Sequence, residues 1–214
     1  MTPSTRLYLV RHGITAANRE MRFVGDRDDP LTREGESQAT GLAGMLEAVG
    51  LSAVYASPAR RAQSTAAPLG QACRLVVQTE PKLKEMAFGD WEGLHMADIR
   101  ARDDGDLLGR WLADPELAPP GGESLAAVQR RLTALADNLV QRHRGESIAL
   151  VTHIGPIKAL LYAALGTPLA NARRMMLDPA SVQIIDWGKS PTVRLVNATP
   201  NLDQAARPGT ALLP

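Results

Sequence analysis

Seven residues constrain this chain more than any others: Leu7-Tyr8-Leu9-Val10-Arg11-His12-Gly13. Four apolar residues run directly into an arginine, a histidine and a glycine. The apolar run is short and β-prone, so it predicts a buried strand. Its end delivers a guanidinium and an imidazole to the carboxyl edge of a sheet, where ligands bind in open α/β folds. Gly13 permits a sharp turn and a close backbone approach to a ligand. The design recurs downstream, where Ile148-Ala149-Leu150-Val151-Thr152 runs into His153-Ile154-Gly155. One histidine capping a strand is usually a core residue. Two of them, the first beside Arg11, point to a site.

Between these strands the pattern alternates. Ile14 to Asn18 reads as a polar turn, and the loop through Arg19, Arg22 and Gly25 follows. In Asp26-Arg27-Asp28-Asp29-Pro30 no strand leads in and a proline closes the run, which marks a solvated turn rather than a carboxylate site. Thr32 is the expected N-cap of a helix with an apolar face at Leu42, Leu46 and Val49, and Gly50 is its stop. Ser52 to Ala56 reads as a strand. Ser57-Pro58 reads as a helix start, with Ser57 as N-cap and proline at the first helical position. Arg60 and Arg61 then sit in the first turn, where the positive end of the helix disfavours cations unless an anion binds there. Leu75 to Val77 is expected as a strand, and Leu83 to Gly93 as a structured loop. Met96 to Trp111 predicts one or two short helices, and Asp114 to Gly122 a loop. Leu125, Val128, Leu132, Leu135 and Leu139 step by three and four, the period of an amphipathic helix. A helix follows His153 through Leu165. Val182 to Trp187 and Val193 to Val196 predict two strands close enough to pair as a hairpin, and a frayed tail is expected over about 199–214. The order of elements gives an α/β three-layer sandwich, with a mostly parallel sheet and an antiparallel edge, in one domain over 1–214.

Composition narrows the partners. Of 214 residues 44% are hydrophobic and the formal net charge is +1, so no global field points to nucleic acid or an anionic membrane surface. No apolar run approaches the ~20 residues of a membrane span, and Leu7 to Val10 is too short for a signal peptide. The single Cys73 excludes an intramolecular disulfide. A cytoplasmic protein is expected.

The chemistry follows by elimination. His12 and His153 lack the spacing of metal ligands, and Cys73 has no second cysteine. Neither a phosphate-binding glycine loop ending in Gly-Lys nor a Gly-x-Ser-x-Gly elbow is present. A phosphate site with a histidine nucleophile remains. A neutral imidazole can attack phosphorus. Flanking arginines neutralise the phosphoryl oxygens and disfavour the imidazolium. A leaving alkoxide needs a carboxylic acid nearby.

Five stretches then carry a resemblance: Arg11-His12-Gly13, Ser57-Pro58-x-x-Arg61-Ala62, Glu85-x-x-Phe88-Gly89-x-Trp91-Glu92-Gly93, Gly121-Gly122-Glu123-Ser124 and His153-x-Gly155. Their ordered set resembles the histidine phosphatase superfamily, with its phosphoglycerate-mutase-like fold, over about residues 5–197. The resemblance implies that His12 takes the phosphoryl group, that Arg11, Arg61 and His153 form its pocket with Asn18 assisting, and that Glu85 is the proton donor. Gly25 and Gly155 complete the phosphate-binding set. Arg61 matches the family position because Ala62 follows it, which leaves Arg60 to solvent. Glu92 is read as structural, Glu123 as a helix cap, and His95 and His143 as surface residues. Ile14, Ala17 and Ala59 depart from the family pattern, none of them at a matched pocket position.

The resemblance implies a phosphomonoesterase acting on small phosphorylated metabolites, α-ribazole 5′-phosphate or a broad range, with no cofactor and no metal. Only 27 residues separate Gly93 from Gly121, a short cover that favours phosphatase over the cofactor-dependent mutase alternative. A non-catalytic phosphate-binding module is the weaker alternative. The expected partner is a small metabolite, not nucleic acid or membrane, and a homodimer is allowed.

Overall fold

The computed structural model describes residues 4–27, 29–102 and 105–200. Thirteen of its elements set the frame: β1 (Thr5–Arg11), α1 (Ala16–Arg19), α2 (Arg33–Leu46), β2 (Ala53–Ala56), α3 (Arg60–Cys73), β3 (Val77–Thr79), α4 (Met96–Arg100), α5 (Gly105–Ala113), α6 (Leu125–Arg142), β4 (Ser147–Thr152), α7 (Ile154–Leu165), β5 (Val182–Trp187) and β6 (Thr192–Ala198). The strands form one six-stranded sheet in the order β3-β2-β4-β1-β5-β6. The first four in that order run parallel, and β5 is antiparallel to both β1 and β6. This is the expected α/β architecture with an antiparallel edge.

Alternation along β1 explains the layers. Leu7 and Leu9 face the larger core, built with Val128, Leu132, Leu135 and Leu139 of α6 and Ile157, Leu160 and Leu161 of α7. Tyr8 and Val10 face the opposite core, with Leu42 and Leu46 of α2 and Ala62, Ala66 and Leu69 of α3. Central strands covered on both faces need apolar residues at every position, which is why β1 and β4 read as continuous apolar runs. The small side chains of α3 let it lie close to the sheet.

Several boundaries differ from expectation, each for a physical reason. Ile14 to Asn18 is not simply a turn: α1 starts inside it, because Thr15 and Asn18 cap each other reciprocally, Asn18 N–H to Thr15 Oγ1 at 3.3 Å and Thr15 N–H to Asn18 Oδ1 at 3.1 Å. The helix expected at Ser57-Pro58 begins two residues later, with Ala59 as an N-cap that makes no side-chain bond. The expected strand at Leu75–Val77 starts only at Val77, because Arg74 adopts a left-handed conformation and Leu75 N–H still bonds the Gly70 carbonyl of α3. Thr32 caps α2 as expected, through Gly35 N–H at 3.1 Å, and a short 3₁₀ turn Glu47–Val49 precedes Gly50. Met96 to Trp111 holds two helices, α4 and α5. In the acidic turn, Asp26 and Arg27 are exposed and Asp28 lies outside the described residues, as does most of the expected frayed tail. Among the described residues no helix is long and apolar enough to cross a membrane.

Candidate active site

The site is built by register. β1 and β4 are neighbours, with Arg11 opposite Thr152, so the next residue of each strand leaves the same edge of the sheet. His12 and His153 therefore stand side by side, ring centroids 5.1 Å apart at 63°. β2 ends level with them, Ala56 opposite Val151, which places Ser57 beside His153. Gly13 lets the chain turn away against α2. A Cβ there would lie 2.5 Å from the Gly35 carbonyl oxygen.

Both imidazoles are neutral, with tautomers fixed by their partners. His12 Nδ1 lies 2.8 Å from the Gly13 carbonyl oxygen. A carbonyl only accepts, so Nδ1 carries the proton and Nε2 holds the lone pair. Among the described residues no hydrogen-bond partner holds Nε2. His153 is the reverse. Its Nδ1 accepts from Arg61 Nε at 3.2 Å, so the proton sits on Nε2, which donates to Ser57 Oγ at 2.8 Å. Burial first, and then the cations of Arg61 and Arg11, hold the His12 pKa well below its ordinary 6.5. The same causes lower His153, with burial again the largest.

The two arginines differ. Arg11 donates to the Leu177 carbonyl, while its buried Nε–H has no partner. Burial lowers its pKa to about 10, still far above neutrality. Arg61 is 2% exposed, whereas Arg60 is exposed. Besides His153, Arg61 reaches the loop after α1, bonding the carbonyls of Arg27 and Gly25, each at 2.8 Å. A guanidinium at the first turn of α3 is thus anchored by carbonyls, which offsets the unfavourable end of the helix dipole. Thr65, one turn further along α3, accepts from Gly13 N–H at 3.0 Å and ties the nucleophile's turn to the same helix.

Glu85 is 7% exposed. Its Oε1 accepts from its neighbour Met86 N–H at 2.9 Å and from Gly155 N–H at 3.1 Å. A Cβ on Gly155 would fall 2.3 Å from Oε1, so only glycine allows this approach. Burial raises the pKa of Glu85, against the opposing pull of its two N–H donors, Arg61 and Arg11. The carboxyl is therefore protonated over a wider range than an exposed glutamate. Thr152 Oγ1 donates to the Leu83 carbonyl at 2.6 Å and fixes the loop that carries Glu85 to the end of β4.

Glu92 holds two loops together. Its Oε1 takes Gly25 N–H at 2.9 Å, Asp26 N–H at 3.2 Å and Phe88 N–H at 3.2 Å. That is structural work, in line with the expectation. Asn18 spends its side-chain oxygen on capping α1, Gly25 spends its N–H on Glu92, and Gly155 spends its N–H on Glu85. Glu123 pairs with Arg131 at 2.7 Å, while the cap of α6 is Ser124, whose Oγ takes Ala127 N–H. The surface expectation for two histidines is corrected. His143 sits against the Tyr55 hydroxyl at 3.0 Å and Glu146 at 2.7 Å, and His95 is half-buried at the start of α4. Sequence reasoning missed Ser57 as a partner of His153, because Ser-Pro also spells a helix start. The signal that could have found it is its place at the end of a third strand. Cys73 ends α3, about 18 Å along that helix from Arg61. Among the described residues no group of three or more His, Cys, Asp or Glu side chains could hold a metal ion.

Comparison with known proteins places the chain in a family. The model of the histidine phosphatase superfamily (branch 1) matches residues 7–199. The bifunctional protein Rv2228c of Mycobacterium tuberculosis is 39% identical over 199 residues, which is 91% of this chain, although the chain spans only 54% of that relative's length. The adenosylcobalamin/alpha-ribazole phosphatase of Escherichia coli is 33% identical over 195 residues, 90% of this chain and 96% of that one. A mycobacterial glucosyl-3-phosphoglycerate phosphatase solved in complex with VO3 superposes with a TM-score of 0.83 at 34% identity, covering 91% of this chain and 99% of its own. The chain belongs to the histidine phosphatase superfamily, branch 1.

Proposed function

We propose that this chain hydrolyses small phosphomonoesters through a phosphohistidine on His12. The observation that carries the reading is a neutral His12, its Nε2 unbonded, held between two buried arginines and beside a buried glutamic acid. His12 Nε2 attacks phosphorus, the N–P bond forms and the ester P–O bond breaks. The leaving alkoxide takes the proton of Glu85. Water then attacks the phosphoryl group, Glu85 recovers a proton from it, the N–P bond breaks and inorganic phosphate departs. The unpartnered Arg11 Nε–H and the positive charges of Arg11 and Arg61 stabilise the oxygens as charge builds on them. A phosphoryl oxygen that reaches the Arg61 fork takes the place of a loop carbonyl of Gly25 or Arg27. The relative named for alpha-ribazole supports a phosphatase that accepts a bulky alcohol, and the short span between Gly93 and Gly121 supports access for water.

Rapid quench with a phosphomonoester, in the presence of EDTA, tests this. An acid-labile phosphoenzyme followed by stoichiometric phosphate release is expected. Return of the phosphoryl group to a product hydroxyl without phosphate release would make the chain a mutase. Phosphate binding without turnover would make it a binding module. Activity lost to EDTA and restored by a divalent metal would overturn the metal-free route.

A further inference from the structure

The segment Leu177 to Ser181, which leads into β5, touches the nucleophile's strand end at three points. The Leu177 carbonyl takes the Arg11 guanidinium through Nη1, and the Ser181 carbonyl takes Arg11 N–H at 2.9 Å. Ala180 N–H donates to the His12 carbonyl at 3.0 Å. The reaction above uses Arg11 and His12 but not the segment that holds them. Arg11 is buried, and its Nε–H has no hydrogen-bond partner among the described residues. The guanidinium is planar, so fixing Nη1 at Leu177 constrains the direction in which Nε–H points.

That segment is itself clasped from the edge of the sheet. Asn197 of β6 accepts from Asp178 N–H with Oδ1 at 2.7 Å and donates through Nδ2 to Asp178 Oδ2 at 2.8 Å. Its own N–H donates to Gln183 Oε1 at 3.3 Å, and Gln183 Nε2 donates to the Leu9 carbonyl of β1 at 3.1 Å. The ladder is broken to allow this. Between the pairs Val182–Ala198 and Ile184–Leu195, β6 sets Val196 and Asn197 against the single Gln183. This bulge puts Asn197 in the left-handed conformation, at φ 61°, and aims its side chain at Asp178. Ala180, in the clasped segment, is also left-handed at φ 56°, a conformation that alanine rarely adopts. Such backbone persists only where surrounding contacts over-determine it, and it gathers at functional sites. Burial opposes the Arg11 charge, and the carboxylates of Glu85 and Asp178 support it.

We propose that Asn197, through Asp178, is a positioning residue for the Arg11 guanidinium, so that the bulge in β6 sets how tightly the site holds a phosphoryl group. The inference rests on the role proposed above for Arg11 and extends it to a residue on the edge strand. With the clasp closed, the Leu177 carbonyl keeps Nη1 and leaves Nε–H to a phosphoryl oxygen. With the clasp removed, the carbonyl is no longer fixed and the guanidinium loses its orientation. A clasp that only stitched β6 to the sheet would affect stability and leave phosphate affinity unchanged.

The test is a double-substitution cycle on the full chain, read by calorimetric binding of inorganic phosphate and by hydrolysis of p-nitrophenyl phosphate. Asn197→Gly keeps the left-handed backbone and removes the clasp. It is expected to weaken phosphate binding by roughly 10-fold and to lower kcat/KM by roughly 10- to 100-fold, the scale of one charged hydrogen bond. In an Arg11→Lys background the same substitution should cost less than about twofold, because its effect passes through the Arg11 fork. Val193→Ala, elsewhere on β6, should lower the melting temperature without changing phosphate affinity. Asn197→Asp sets two carboxylates against each other and should lose affinity. Adding Asp178→Asn restores both side-chain bonds with donor and acceptor exchanged, and affinity should recover. Should Asn197→Gly fold poorly, that single and its reciprocal pair decide, and equal affinity in the two overturns the positioning role. So does unchanged affinity in Asn197→Gly, or an equal loss in both Arg11 backgrounds, with the phosphatase reading left in place. Phosphate bound by the wild type without turnover overturns the phosphatase reading, and the same affinities still decide on the clasp. Neither binding nor turnover overturns both.

Discussion

β1 and β4 lie side by side in register and each ends in a buried histidine, yet the two imidazoles are bonded in opposite senses. His12 gives its Nδ1 proton to the next carbonyl along its own chain and keeps Nε2 unbonded. His153 has both nitrogens engaged, one by the guanidinium of Arg61 and one by the hydroxyl of Ser57. Burial beside two arginines keeps both rings neutral. A nucleophile needs a free lone pair, so the difference in bonding assigns the roles: His12 reacts and His153 holds. Two nearly identical strand ends diverge because of what other segments present to them, and the sharpest tests break one ring at a time.

The largest effect is expected at His12. His12→Ala should remove the phosphoenzyme and lower turnover on the order of 10⁴-fold or more. His153→Ala should weaken the reaction while leaving an acid-labile phosphoenzyme detectable by rapid quench. A phosphoenzyme that persists in His12→Ala and vanishes in His153→Ala would exchange the two roles.

Next is Glu85, the buried carboxyl bonded to the start of α7. Glu85→Gln should slow phosphoryl transfer from alkyl esters by about 10²–10⁴-fold, and much less from p-nitrophenyl phosphate, whose phenolate leaves unaided. The pre-steady-state burst isolates that step. The sign with pH follows from the raised pKa of the carboxyl. The acid form persists to higher pH than in an exposed glutamate, and the alkyl-ester burst falls as pH rises through that raised value. His12 is held well below 6.5, so its protonation should not limit the burst under mildly acidic conditions. Equal losses for both ester types in Glu85→Gln would pass the role to another acid, with Glu92 the next to test.

The strand ends were legible because apolar continuity and a following His-x-Gly or His-Gly are local features, and parallel pairing makes neighbouring strand ends coincide. The tautomers were not legible. They depend on Ser57 from β2 and Arg61 from α3, brought in by register and by a helix that starts two residues later than Ser-Pro suggests. Glu85 could be placed in a loop from sequence, but its burial comes from contacts with the start of α7 and the end of β4. Lys158 carries the opposite lesson. A lone lysine inside Ile157 to Tyr162 is visible in the sequence, but only the packed structure shows that its amine has no partner.

The arginine pair tests how far His153 depends on its holder. Arg61→Ala removes the bond to His153 Nδ1, the contacts to the loop carbonyls of Val24, Gly25 and Arg27, and a charge near His12. With charge-assisted bonds worth about 1.5–3 kcal/mol, kcat/KM should fall by roughly 10- to 100-fold or more. Arg60 is exposed, and Arg60→Ala should stay within about twofold. Equal effects of the two substitutions would place neither guanidinium in the site.

Among the side chains that bond His153 the smaller effect is expected at Ser57, and it separates the two bonds that His153 makes. Ser57 Oγ is fully buried and accepts from His153 Nε2 at 2.8 Å and from Ala59 N–H at 3.3 Å. In Ser57→Ala the imidazole loses its acceptor, but Arg61 Nε still donates to Nδ1, so the proton stays on Nε2. The tautomer survives and only its orientation loosens. The net value of one neutral hydrogen bond, about 0.5–1.5 kcal/mol, gives a loss of roughly 2- to 10-fold in kcat/KM. The phosphoenzyme should still form, and the pH dependence of the alkyl-ester burst, set by Glu85, should keep its shape. A loss as large as that of Arg61→Ala would mean that Ser57, not Arg61, fixes His153, and that the ring is held from the strand side rather than from the helix.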